Sequence, residues 1–175
     1  MFSFHPTEEQ QLIVDTVRDF AREQLRPHAN EANEQRALQS KVLTSARELG
    51  LIPANIPEDY GGFGEKHSAV LGVLYAEELA YGDLSSTLHL LAPASVATPI
   101  LKFGTEAQKQ EYLPRFAESK FFASAALVET KWNFDPSALN TTAQRTENGY
   151  VLNGRKGFVT VKEDGSAPDL LLVYA

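Results

Sequence analysis

Residues Phe121–Pro136, FFASAALVETKWNFDP, divide the chain. Ahead of this stretch nearly every segment carries helical signals, and after it every segment carries strand signals. It starts as an apolar strand, passes one acid at Glu129, and runs into a loop holding Trp132 and Phe134. A junction of that kind, with aromatic walls, suits a flat ligand.

Working back toward the N-terminus, Thr105-Glu106-Ala107-Gln108 is a capping box that opens a helix to about Glu118. Leu113 and Phe116 face inward, and Pro114 bends the last turn. Leu84 to Phe103 reads as one long apolar helix capped by Asp83. Pro93 and Pro99 must kink or break it, because each removes an amide donor and crowds the preceding turn. Ser68–Tyr81 places Leu71, Tyr75 and Leu79 on one face. Its adjacent acids Glu77 and Glu78 point about 100° apart, so they form no cooperating pair; one is expected in solvent and one in a structural ion pair. Before that comes LIPANIPEDYGGFG, where prolines fix extended backbone and glycines permit positive φ, giving a shaped loop. It is not a dinucleotide fingerprint: residue 67 is His and no strand precedes it. Ser40–Leu49 is a helix closed by Gly50. His28–Gln39 reads as loop or frayed helix. Thr7-Glu8-Glu9-Gln10 is a second capping box, opening a helix that Pro27 is expected to stop.

Working forward, Ala138–Glu147 and Tyr150–Asn153 are strands joined by Asn148-Gly149, a pair suited to a type I′ turn. Gly157–Val161 and Leu170–Tyr174 are expected as further strands. The fold class is therefore α+β: an all-α helical bundle followed by the beginning of an antiparallel β-barrel or sheet domain. A strand at the last residues leaves an unpaired edge, so the chain reads as cut within a domain.

The chain has 175 residues, 43% hydrophobic and 22% charged, an ordinary globular mix. A net charge of −7 argues against a nucleic-acid surface. There are no cysteines, which excludes disulfides, thiolate metal sites and thiol nucleophiles. The histidines at 5, 28, 67 and 89 fall in four separate elements without ligand spacing and are read as surface or satisfied core residues, and no metal site is expected. No signal peptide is evident, and the run Leu84–Leu101 reads as too short and too polar to span a bilayer. The default location is the cytoplasm.

The ordered set FHPTEEQQLIVDTVRDFAREQLRPHA, ARELGLIPANIPEDYGGFG, AEELAYGD, GTEAQKQEYLP, AALVET and GYVLNGRKGFVT resembles the acyl-CoA dehydrogenase family. The resemblance covers essentially the whole chain. It implies an N-terminal helical domain over residues 1–119 and an incomplete middle β-domain over 120–175, with the family's C-terminal four-helix domain to follow. It also implies a fatty-acid-metabolising oxidoreductase that binds flavin adenine dinucleotide (FAD) and dehydrogenates an acyl-CoA thioester at its α,β positions. Such a protein passes electrons to an acceptor and works as a homo- or hetero-oligomer. In the family a carboxylate of the C-terminal domain removes the α-proton while the β-hydrogen leaves as hydride to the flavin. No residue of this chain matches that base, so the chain alone is expected to be inactive, and Glu129 belongs to the flavin-side strand instead.

Carried over residue by residue, the resemblance places Leu127 and Val128 and the segment Phe158, Val159 and Thr160 at the cofactor. Leu88 and Leu91, in the kinked region Thr87–Val96, are the candidates for acyl-chain contact, and core packing explains them equally well. Phe134 stands where the family has a serine that contacts the thioester ligand. The departures are specific. Val128 replaces a threonine, Thr130 a proline, Asn133-Phe134 a Gly-Ser, and Val161 an asparagine, while Asp135 and Thr160 match. A valine keeps its amide for the flavin and loses a hydroxyl bond of about 1 kcal/mol, a loss of less than roughly tenfold in affinity. The same departures also suit a non-catalytic partner subunit of a hetero-oligomeric dehydrogenase.

Overall fold

The structure is a computed structural model that describes residues 5–35, 40–64, 68–118, 121–131 and 135–175. Among the described residues, seven α-helices precede four short strands. The helices are α1 Glu8–Phe20, α2 Ala29–Gln35, α3 Ser40–Glu48, α4 Ala69–Gly82, α5 Leu84–Leu91, α6 Ala94–Phe103 and α7 Glu106–Tyr112. The strands are β1 Ala123–Ala126, β2 Thr142–Thr146, β3 Gly149–Asn153 and β4 Leu170–Val173.

Local chemistry sets the helix starts. Both capping boxes form: Thr7 Oγ1 accepts from the Gln10 amide at 3.2 Å, and Thr105 Oγ1 from the Gln108 amide at 3.3 Å. The glutamines return the bond to the threonine amides. Asp83 caps α5 through the Ser86 amide at 2.7 Å. Of the adjacent acids, Glu77 is exposed, whereas Glu78 receives Arg18 at 2.7 Å and ties α4 to α1. Gly82 lets α4 close on the turn Ala21–Leu25 that follows α1, since a Cβ there would lie 2.8 Å from Leu25 Cβ and 3.0 Å from the Ala21 carbonyl oxygen.

Several expectations are revised. Pro27 does not stop the first helix. The chain loosens into a π-turn over Ala21–Leu25, tightens into a 3₁₀ turn over Arg26–His28, and continues as α2. Proline is tolerated because it sits in the first turn of the 3₁₀ segment, where its missing amide has no partner to lose. The long apolar run breaks at Ala92–Pro93, but Pro99 stays inside α6. Leu84–Phe103 is 20 residues of mean hydropathy 1.3, long and apolar enough by composition alone to cross a membrane. That departs from the reading of the run as too short and too polar. Here α5 buries Ser86, Thr87 and His89, and α6 buries Val96 and Ala97 against the protein core.

The hairpin turn falls on Glu147–Asn148, one residue earlier than the Asn-Gly pair suggests, because Thr146 pairs with Gly149. Gly149 takes the positive φ, at 131°, as the first residue of β3, and Asn148 keeps a negative φ. The expected strand Gly157–Val161 does not form. Phe158 lies in the left-handed region with φ 54°, which turns the backbone out of any ladder. β2 and β3 pair antiparallel as expected, whereas β1 and β4 run parallel, Ala123 beside Leu170. The long connection Leu127–Asp169 makes that crossover possible.

Two buried clusters hold the parts. Val17, Ala21, Leu25, Val42 and Leu79 form one among the helices. Ile56, Val96, Ala97, Leu113, Phe116 and Ala123 form the other, joining the helices to β1. The shaped loop supplies Ile56, and it is pinned by Phe63 N to Pro53 O and Gly64 N to Ile56 O, at 3.0 and 2.9 Å.

Leu79 is fully buried at the crossing of α1 and α4. Leu79→Ala is expected to lower unfolding free energy by about 2–5 kcal/mol, read from chemical denaturation of the full-length protein. An exposed-site control such as Leu12→Ala should change it by less than about 0.5 kcal/mol.

Candidate functional site

The segment after β1 is built around Glu129. Its side chain is 6% exposed. The carboxylate accepts from the Asn140 amide at 2.9 and 3.0 Å, the Asn140 side-chain amide at 2.8 Å, and the amide and hydroxyl of Thr141, each at 2.7 Å. Lys156 Nζ stands 3.2 Å away and also donates to the Leu127 carbonyl at 3.1 Å. These bonds, the Asn140 side chain first among them, hold the carboxyl far below the usual carboxylate range. Such a group is a fixed anion and cannot act as a proton acceptor near neutral pH.

That cluster brings two sequence-distant segments together. The Gly157 amide donates to the Val128 carbonyl at 2.9 Å. Leu127 and Val128 are thereby set beside the segment Phe158–Thr160. The Phe158 ring is 93% exposed, and its left-handed backbone turns it outward. Val159 and Thr160 line a cavity of about 800 Å³ together with Leu88 of α5 and Asn33 of α2. Leu91 does not reach it. It lines a second cavity of about 570 Å³, bounded by Arg47, Leu49, Phe116 and Phe122. His89 borders both. The two leucines proposed for acyl contact thus face different spaces. Phe134, with Trp132, lies outside the described residues.

The five residues expected at the cofactor therefore sit on two adjoining loops, with an exposed aromatic ring beside a polar hydroxyl. Thr160 makes no hydrogen bond among the described residues. An exposed ring, a free hydroxyl and neighbouring backbone fit one edge of a flat heteroaromatic group such as flavin. Among the described residues no cluster of three or more His, Cys, Asp or Glu could hold a metal ion.

Residues 7–120 match the model of the acyl-CoA dehydrogenase N-terminal domain. The chain belongs to the acyl-CoA dehydrogenase family. It is 36% identical over 172 residues to a cyclohex-1-ene-1-carbonyl-CoA dehydrogenase of Geobacter metallireducens, covering 98% of this chain and 44% of that protein. Butyryl-CoA dehydrogenase from Megasphaera elsdenii superposes with a TM-score of 0.81 at 32% identity, over 99% of this chain and 45% of the other. A glutaryl-CoA dehydrogenase from Mycobacterium smegmatis, solved in complex with FADH2, gives 0.80 at 28% identity, over 97% and 43%. The chain spans less than half the length of the relatives it matches.

Lys156, Asn140 and Thr141 were missed in the sequence because no motif marks them. The only available signal was the lone acid Glu129 inside an apolar strand, which needs donors from somewhere.

Because the Glu129 pKa is depressed in the folded state, its contribution to stability is present above the ordinary carboxylate pKa of about 4.3 and is lost as pH falls below it. Glu129→Gln should lower the thermal midpoint at neutral pH. It should also flatten the loss of stability on acidification, a difference that paired melting curves at pH about 7 and about 3.5 would reveal.

Proposed function

We propose that this chain provides the N-terminal helical domain, residues 1–119, and the opening of the middle β-domain, residues 120–175, of an FAD-dependent acyl-CoA dehydrogenase. The observation that carries this reading is the bond from the Gly157 amide to the Val128 carbonyl, which brings the Leu127–Val128 segment against the start of the Phe158–Thr160 segment, whose Val159 and Thr160 line a cavity. Leu127, Val128, Phe158, Val159 and Thr160 would hold the flavin edge. Leu88, and Leu91 from the neighbouring space, would lie toward the acyl chain, with Phe134 toward the thioester. Bound flavin supplies the two-electron acceptor for α,β-dehydrogenation of an acyl-CoA thioester. The chain's own residues orient it. Glu129, locked by its donors, fixes the loop that carries Val128. Thr160 offers a hydroxyl that makes no hydrogen bond among the described residues. Phe158 presents an aromatic plane.

A separate electron-transfer acceptor, an oligomeric assembly, a role in fatty-acid metabolism and a cytoplasmic location belong to the same proposal. The base that takes the α-proton is not among the residues of this chain, so these 175 residues alone should be inactive. A second reading, a non-catalytic partner subunit, is favoured by two departures: Val128 offers no hydroxyl where the family has a threonine, and Phe134 stands where the family has a serine.

Purified full-length protein should carry flavin absorbance and bleach on adding acyl-CoA. Thr160→Ala should weaken flavin binding by up to roughly tenfold with the fold intact. Colourless protein that cannot be reconstituted would reject the flavoenzyme reading. Flavin appearing only on co-expression with a second dehydrogenase would establish the partner-subunit reading in its place.

A further inference from the structure

Three polar side chains meet where the loop before β4 lies against the helices. Arg47 comes from the last turn of α3, His89 from α5 and Glu163 from the loop. The Arg47 guanidinium donates to Glu163 Oε1. His89 Nε2 lies 3.4 Å from that same oxygen. The imidazole is 4% exposed and stacks on Phe122, with centroids 4.6 Å apart and planes inclined by 17°. Its Nε2 is buried and makes no well-directed hydrogen bond. One carboxylate oxygen thus faces two cationic or donor groups, and the guanidinium takes it.

The segment this cluster restrains has little else to hold it. At one end the Gly157 amide is bonded to Val128 O. At the other the Lys162 amide bonds to Ser166 O, and the Lys162 ammonium pairs with Asp169 at 2.6 Å. Between them Val159, Thr160 and Val161 belong to no strand. Where they lie against α5 depends on what Glu163 grips.

We propose that Arg47, His89 and Glu163 form a clasp that positions the Phe158–Glu163 segment, Thr160 included, against the helices, and that the clasp loosens when His89 takes up a proton. The clasp stands on its own geometry. Its consequence for the cofactor rests on the reading of Thr160 as a flavin contact.

The physical reason is the shortage of counter-charge around His89. A neutral ring stacks on Phe122 at no electrostatic cost. A protonated ring would bury its charge beside Arg47, which already occupies Glu163. The other charged groups nearby offer little help. Glu48 and Glu118 line the 570 Å³ cavity, and Asp83 and Lys162 line the 800 Å³ one. The Asp83 carboxylate is engaged in capping α5, and Lys162 is cationic and held by Asp169. Burial above all pushes the His89 pKa below its ordinary value. Glu163 pulls the other way and Arg47 adds to the lowering. An opened form with a solvated imidazole keeps its proton up to a pH of about 6.5, whereas the clasped form sheds it at a lower pH. In the interval the opened form binds more protons, so falling pH favours opening.

Hydrogen–deuterium exchange of the Gly157, Lys162 and Gly165 amides, the hydrogen-bonded ones flanking this segment, in the full-length protein, from pH about 5 to about 7.5, tests the clasp directly. After correction for intrinsic exchange, wild-type protection should fall several-fold as pH drops below about 6.5. In His89→Gln, and in His89→Phe, which retains an aromatic ring against Phe122, protection should no longer vary with pH. Glu163→Gln should raise exchange at every pH, and Glu163→Asp should restore part of the protection. Equal pH slopes in wild type and both His89 variants, or unchanged protection in Glu163→Gln, would overturn the clasp. Flavin fluorescence followed over the same pH range separates the two claims. Release that tracks the exchange supports the link to Thr160. Exchange that changes while bound flavin does not, or in protein that binds none, overturns only the cofactor link.

Discussion

A carboxylate sequestered from water among amide, hydroxyl and ammonium donors is the constraint on which the strand half of this chain depends. Glu129 gathers Asn140 and Thr141 at the entry to β2, and Lys156 beyond the end of β3. The hairpin β2–β3 is exposed along its whole length and has no apolar face against the body of the protein. What fixes its root is therefore polar. Burying a charge is unfavourable unless every lone pair is met. The arrangement meets them, and it does so with groups that also bind backbone: Lys156 reaches Leu127 O while it neutralises Glu129. Removing any one donor would leave the others facing an incompletely solvated anion.

The apolar seam between helices and sheet works differently. Ile56, Val96, Leu113 and Phe116 close on Ala123, the first residue of β1. β1 is almost all small, Ala-Ser-Ala-Ala, so the strand can sit close to α6 without large side chains to place. Next to this seam the larger cavities begin, and the polar trio of Arg47, His89 and Glu163 stands on their boundary. The helical and strand halves are thus joined by a dry contact and by this polar trio, whereas the Glu129 cluster ties together loops within the strand half.

Features governed by residues three or four apart were legible in the sequence. Thr7 and Thr105 announced their helices because the capping bond closes within one turn. Gly50, with φ 67°, marked a helix end, and Glu78 turned out to be the paired member of its acidic couple. Features decided by distant partners were not legible. A left-handed φ at Phe158 was not signalled locally: Val159 and Thr160 are ordinary strand formers, the adjacent Gly157 is where such a φ would be expected, and the bond at Gly157 comes from the distant Val128. Pro27 read as a stop because its effect depends on whether the preceding turns loosen, and they do. The Asn-Gly pair identified the hairpin, while its register was set by the pairing of Thr142 with Asn153. At the candidate site, Val128 and Thr160 could be named from a resemblance. That their segments adjoin through the Gly157 amide and the Val128 carbonyl, and that Leu88 and Leu91 face separate spaces, required the fold.

The parallel pairing of β1 with β4 has a consequence for how the chain is made. Ala126 leaves the ribosome well before Val173, its partner. At about 5–20 residues per second, the wait for those 47 positions of sequence is roughly 2–9 s. During that interval the helices can form from their own local contacts, but β1 has an open edge and no mate. A nascent chain stalled there would display a short, small-residue strand beside an unfinished apolar seam. For this protein the hazard of misassociation is greatest in the seconds before residue 170 emerges, and a holding chaperone would be of most use then.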